Sequence, residues 1–158
     1  MKQYIFIALF VALIINLMSC TKEPQLTKEQ RLRQSIAELE SRFEERKFGR
    51  IIEYVSENYS DEHGRGLKDI KRAIQLQLMR HKTLHVLSTI NAINWTNDNN
   101  AEVQITAAMA GKPIKSVSIL TSIRADMIKF DVHFVLEDEI YKVQSATWSW
   151  AKPSDFLE

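Results

Sequence analysis

Tyr59, Asp61 and His63 alternate along one polar stretch, Asn58-Tyr59-Ser60-Asp61-Glu62-His63-Gly64. Asp61 or His63 could act as a general base, with Tyr59 or Tyr141 donating a hydrogen bond to a developing enolate. That chemistry needs a proton acceptor tuned by an apolar pocket and a donor aimed at the oxyanion. The plainer alternative, which we prefer, has Asp61 capping the turn and His63 and Arg65 as exposed loop. His81 and His85 are spaced i, i+4, as two metal ligands on one helix would be. They fall instead on a helix end and a strand, with no third ligand, so neither metal nor cofactor is expected. Lys129, Asp131 and His133 share one strand face, as a proton relay or, preferably, a solvated outer face. Trp148 and Trp150 also share a face, opposite to Tyr141 and Val143 if no bulge intervenes. With Lys152 nearby they could stack on a ligand or meet a partner, or cover the sheet edge beneath residues 153–158.

The elements that must hold these side chains follow from periodicity. Thr27-Lys28-Glu29-Gln30 is a capping-box pattern. Leu32, Ile36, Leu39 and Phe43 then form one apolar stripe, with Arg31, Arg33, Glu38, Glu40 and Glu44 as a solvated face. Phe48, Ile51, Ile52 and Val55 make a second, shorter stripe after a break near Gly49. A loop ending in Gly64-Arg65-Gly66 leads to a third helix over 67–80, with Leu67, Ile70, Ile74 and Leu78 on one side. The period then changes to two. Strands are expected over 83–95 (Leu84, Val86, Ile90 and Ala92 on one face), 101–110, 125–136 and 140–150. Asn97-Asp98-Asn99-Asn100 and Glu137-Asp138-Glu139 are the turns. The third strand sets Ile128, Phe130, Val132, Phe134 and Leu136 against Lys129, Asp131 and His133. Residues 111–124 form a longer connection with a short helical turn. Helices first, then antiparallel strands with one apolar face, is an α+β arrangement.

Ahead of the domain, residues 1–19 have the layout of a secretory signal, with Lys2, an apolar run and then Leu17-Met18-Ser19. The run is shorter than the roughly 20 apolar residues a spanning helix needs. Leu17-Met18-Ser19-Cys20 resembles the bacterial lipoprotein lipobox. The resemblance implies cleavage before Cys20, a diacylglyceryl thioether on its sulfur and an acylated amine. Two or three chains anchor stably where one holds only marginally. Thr21, where enteric-type sorting would read Asp as inner-membrane retention, favours the outer membrane, facing the periplasm. Residues 20–26 then make a short tether reaching about 20 Å, and residues 27–158 the domain. Of 158 residues 139 remain after cleavage, with Lys plus Arg and Asp plus Glu balanced at 20 each once Lys2 is gone. That is enough for one real core and gives no basic surface for nucleic acid. With the only cysteine taken by lipid, the domain relies on packing and has no disulfide.

Residues 27–151 resemble the NTF2-like (SnoaL-like, cystatin-like) superfamily. The resemblance is carried by the helix order, by Gly66-Leu67 and Ala73-Ile74 in the third helix, and by Tyr141-Lys142-Val143 after the charged turn. The stretches 59–66, Leu78-Met79-Arg80-His81-Lys82 and Ala146-Thr147-Trp148 further resemble proteobacterial lipoproteins of unknown role. The resemblance implies a cone of helices on a curved sheet, and homodimers through the outer sheet face. The fold hosts isomerases, dehydratases and plain binders, so it fixes no activity. Enzymatic relatives often carry His at the two inward positions after the aliphatic of the last strand. Taken as Ser145 and Thr147, these match no catalytic residue. The expected role is therefore non-enzymatic. The cone would hold a small apolar ligand or dock an envelope protein through Trp148, Trp150, Phe130 and Tyr141. An isomerase or dehydratase using Asp61 or His63 is the alternative.

Overall fold

The computed structural model describes residues 26–157. The apolar leader, the lipobox and Cys20 lie outside the described residues. Helix α1 (Lys28–Glu44) opens on the expected capping box. The Gln30 amide donates to Thr27 Oγ1 at 3.2 Å and the Thr27 amide to Gln30 Oε1 at 2.9 Å. Two of the helix's first unpaired N–H groups are thereby satisfied. The chain breaks at Glu45–Lys47, where Arg46 takes a φ of 57°. The expected break near Gly49 is displaced, because Gly49 lies inside α2 (Phe48–Ile52). Arg46 is held in its unusual conformation by its guanidinium, which donates to the carbonyls of Leu78 and Lys82 at 2.7 and 2.8 Å. Helix α3 (Leu67–Arg80) follows the loop, as expected.

Four strands, β1 (His85–Asn97), β2 (Asn100–Ala110), β3 (Asp126–Glu137) and β4 (Ile140–Trp150), form one antiparallel sheet in the order β1-β2-β3-β4. The β3–β4 turn is made by Asp138 and Glu139, both at positive φ, which matches the twist of a tight hairpin. The helices cover one face of the sheet. Leu32 and Ile36 of α1 pack with Ala101, Val103, Ile105, Val132, Phe134 and Tyr141. Ile51, Ile74 and Leu78 pack with Val55, Tyr59 and Leu84. Val143 touches both groups, so the two join beneath the helices.

Two bulges reset which residues face inward. The register passes from Ile90↔Ile105 to Ala92↔Gln104, leaving Asn91 extra in β1. Ala92 therefore joins the outer face, contrary to expectation, and Ile93 and Trp95 turn in to the core. In β4 the register passes from Phe134↔Val143 to His133↔Ser145, leaving Gln144 extra. One added residue reverses a period-two pattern beyond it. The outer face has its own apolar group, where Ala108, Leu120 and Phe156 meet Leu87, Ile114, Val117 and Met127. Residues 111–125 and the short helix Pro153–Phe156 cover it. Asn91 fastens the tail, donating from Nδ2 to the Asp155 carbonyl at 2.8 Å, beside buried Thr106.

Candidate functional site

The Gln144 bulge decides where the aromatic residues of β4 sit. Phe130 pairs with Trp148 and Ile128 with Trp150. Paired residues in an antiparallel ladder share a face. Phe130 lies on the core face, so Trp148 and Trp150 do too, beside Tyr141, Val143 and Ala146. An unbroken strand would have put them opposite Tyr141; the bulge brings them round. The inward positions after Val143 are accordingly Ala146 and Trp148, while Ser145 and Thr147 look outward beside His133 and Asp131. Trp148 and Trp150 meet edge to face, with ring centroids 5.7 Å apart. They are 53% and 70% exposed. The tail does not roof them, since Phe156 packs on the outer sheet face.

Tyr141 plays a different part. It is fully buried, its ring meets Trp95 at 5.8 Å, and its hydroxyl donates to the Asp98 carbonyl at 2.8 Å. Its amide donates to Ser35 Oγ on α1 at 3.1 Å. Tyr141 thus ties α1, the β1–β2 turn and β4 together, and its hydroxyl is already engaged.

Asp61, Tyr59 and His63 are near in sequence but differ in environment. The Asp61 side chain is 1% exposed. Its Oδ1 accepts from the amides of His63 and Arg65 at 2.9 and 3.0 Å, and its Oδ2 from Arg65 Nε at 2.7 Å. Burial acts to raise its pKa. The Arg65 amide and guanidinium and the His63 amide outweigh burial and hold the carboxyl below its ordinary value. A carboxylate so stabilised is a poor proton acceptor. Tyr59 is buried against Asp61 and the Ala146 amide. Burial first, and then the Asp61 charge, push its phenol up. His63 points to solvent at 66% exposure, 3.6 Å from Glu62. The loop therefore has the arrangement of a capped turn.

The remaining candidates are dispersed. His81 touches Gln77 at 3.5 Å and His85 faces Glu44 at 3.9 Å. Among the described residues no three His, Cys, Asp or Glu side chains gather as a metal site would need. Lys129, Asp131 and His133 lie on the outer sheet face. One acid missed in sequence is Glu40, assigned to a solvated helix face. It is half-buried and accepts from Ser88 Oγ on the core face of β1. Burial raises its pKa, the Ser88 bond lowers it, Glu44 raises it, and the net direction is upward. Nothing in a stripe of period 3.6 distinguishes Glu40 from its exposed neighbours, because only the partner strand shows which flank is covered.

Comparison with solved structures fits this geometry. The chain has the NTF2-like, cystatin-like fold. An NTF2-like family protein from Streptomyces avermitilis, with a provisional dehydratase assignment, superposes with a TM-score of 0.61 at 14% identity. The match covers 78% of this chain and 96% of that one. A Nostoc punctiforme protein of unknown function with a cystatin-like fold gives 0.60 at 8%, covering 81% and 96%. Bd1075 of Bdellovibrio bacteriovorus gives 0.58 at 11%, covering 76% of this chain but 39% of that one. No protein-family model matches, and no curated protein is similar in sequence. On this NTF2-like scaffold α1 ends beside Val86 near the start of β1 and begins at the hairpin end, where Arg31 meets Glu139. The exposed tryptophans stand at the other end of β3 and β4.

Proposed function

We propose that the chain is the head of a lipid-anchored envelope lipoprotein that binds rather than catalyses, through Trp148, Trp150 and Phe130. The observation that carries this reading is the Gln144 bulge. It turns two tryptophans onto the core face of the sheet, and they remain exposed there. Large rigid aromatics left in water at the end of an apolar face are the side chains that dominate binding energy once covered. The pinned carboxylate of Asp61 supports the same reading, because it withdraws the leading general base. The anchor rests on Leu17-Met18-Ser19-Cys20, and the outer membrane on Thr21. Two substitutions test the binding claim in the host. Trp148→Ala with Trp150→Ala should abolish rescue of a null phenotype in a protein that still folds, and Asp61→Ala with His63→Ala should preserve it. Full rescue by the tryptophan pair would overturn the reading. Metabolic labelling with radioactive palmitate tests the anchor, with Cys20→Ala abolishing the label.

A second reading is favoured by one observation, the fold neighbour with the dehydratase assignment. Here Asp61 or His63 would remove a proton and Tyr59, beside Asp61, would support the developing oxyanion. Loss of rescue by Asp61→Asn, with the domain still folded at neutral pH, would favour it.

A further inference from the structure

The outer edge of β4 is closed along most of its length and opens at the tryptophans. Tyr141 N–H donates to Ser35 Oγ, and Val143 N–H to the Tyr54 carbonyl at 2.8 Å. The Val143 carbonyl accepts from Ser56 N–H at 2.9 Å and the Gln144 carbonyl from Ser60 N–H at 3.0 Å. The Ala146 amide faces the Tyr59 hydroxyl. Each of these groups points away from β3, and each is met by α1 or by residues 54–60.

The alternation continues past Ala146. Ala151 N–H donates to the Met127 carbonyl at 3.0 Å, so the backbone groups of Met127 turn toward the β4 side. Ile128↔Trp150 and Phe130↔Trp148 are then the intervening pairs. Their backbone N–H and C=O groups turn away from the partner strand. For Trp148 and Trp150 that direction is the outer edge. Among the described residues no backbone group bonds there, and Trp148, Ser149 and Trp150 are all exposed. The far edge of the sheet is treated differently: Glu44 accepts the outward Val86 amide of β1 at 2.9 Å. An unpaired edge is a template for another strand, and proteins commonly blunt it with charge or proline. Here Thr147-Trp148-Ser149-Trp150 carries neither.

We propose that this edge is a strand-addition site for an extended segment of a partner protein. The segment would carry apolar side chains at alternate positions over Trp148 and Trp150, and small polar ones over Thr147 and Ser149. The inference rests on the binding reading above and names the partner's chemistry. Main-chain hydrogen bonds would supply affinity and the tryptophans the side-chain preference. A second copy is the poorer occupant. The exposed parts of the two tryptophans offer on the order of 300 Å², against roughly 800 Å² per partner in a stable interface. The tether is no better. Arg31 pairs with Glu139 at 2.6 Å, which places the start of α1 at the β3–β4 turn. From there β4 runs about 30 Å to the tryptophans, whereas residues 20–25 extend only about 20 Å.

The test uses the mature lipidated chain in nanodiscs and a capped hexapeptide alternating Thr with Val or Phe. Two further versions carry N-methyl groups on one or the other alternate set of amides. The parent peptide should shift tryptophan emission saturably and slow hydrogen exchange at the Trp148 and Trp150 amides. Methylating one set should weaken binding about tenfold or more, while methylating the other spares it. The sensitive set reports whether the segment adds parallel or antiparallel. If both methylated peptides bind like the parent, or the two amides exchange unchanged, strand addition is overturned while the tryptophan patch stands. If the parent fails to bind up to about millimolar concentration, strand addition is likewise overturned. Rescue by the Trp148→Ala, Trp150→Ala variant in the host then decides whether the patch falls with it. A dimer mass without peptide would replace the partner with a second copy.

Discussion

Asp61 and Glu40 carry opposite perturbations, and pH separates them. The pKa of Asp61 is held below its unfolded value, so the folded state binds fewer protons there than the unfolded chain. Its stabilisation is full above the unfolded pKa and is lost as pH falls through the folded one. Melting temperature measured from neutral to strongly acidic pH should show wild type above Asp61→Asn, with the gap closing in acid. Glu40 is raised, chiefly by burial. The folded state keeps its proton longer, so stability falls as pH rises from the unfolded pKa through the folded one. Glu40→Gln should flatten that fall in the same experiment. Tyr141→Phe removes the bond to the Asp98 carbonyl and should cost about 1 kcal/mol in denaturant unfolding. The roles of Glu40 and Tyr141 could not be read from residue type. Asp61 was recognisable as a cap from the Asx-rich loop, but the burial of Glu40 depends on Ser88, 48 residues away.

At the scale of elements, local rules fixed the ends and long-range ones the faces. Thr27 and Gln30, the 67–80 stripe and both hairpin turns were legible because caps, periodicity and turn residues act within a few positions. Asn91 and Gln144 were not, since a bulge is set by the partner strand and leaves only a slip in alternation. Ile90, Ile93 and Trp95 carried such a slip, and Val143, Ala146 and Trp148 another. The Gln144 bulge is stabilised from the edge by Ser60 N–H and Tyr59. Deleting Gln144 should return the strand to strict alternation. Either the tryptophans turn outward or the Val143 pairing breaks, and both lower the melting temperature. Acrylamide quenching of tryptophan emission, compared with wild type, should report the changed environment.

For the whole molecule, the two faces and two ends of the sheet divide the work. The outer face is closed by residues 111–125 and Phe156, which is 5% exposed. Phe156→Ala should cost about 3–5 kcal/mol by leaving a cavity over Ala108 and Leu120. It should leave ligand binding at the tryptophans, on the opposite face of the sheet, intact when measured below the lowered melting temperature. The core face is closed by α1 where the chain enters and opens where β4 ends. The central claim is that this open end binds through Trp148 and Trp150. Native mass spectrometry of the protein drawn gently from its own host tests it most directly, with wild type and the Trp148→Ala, Trp150→Ala variant side by side. The account predicts a discrete additional mass on wild type that is absent from the folded variant. A wild-type chain carrying nothing, or a variant that keeps the same mass, would contradict it.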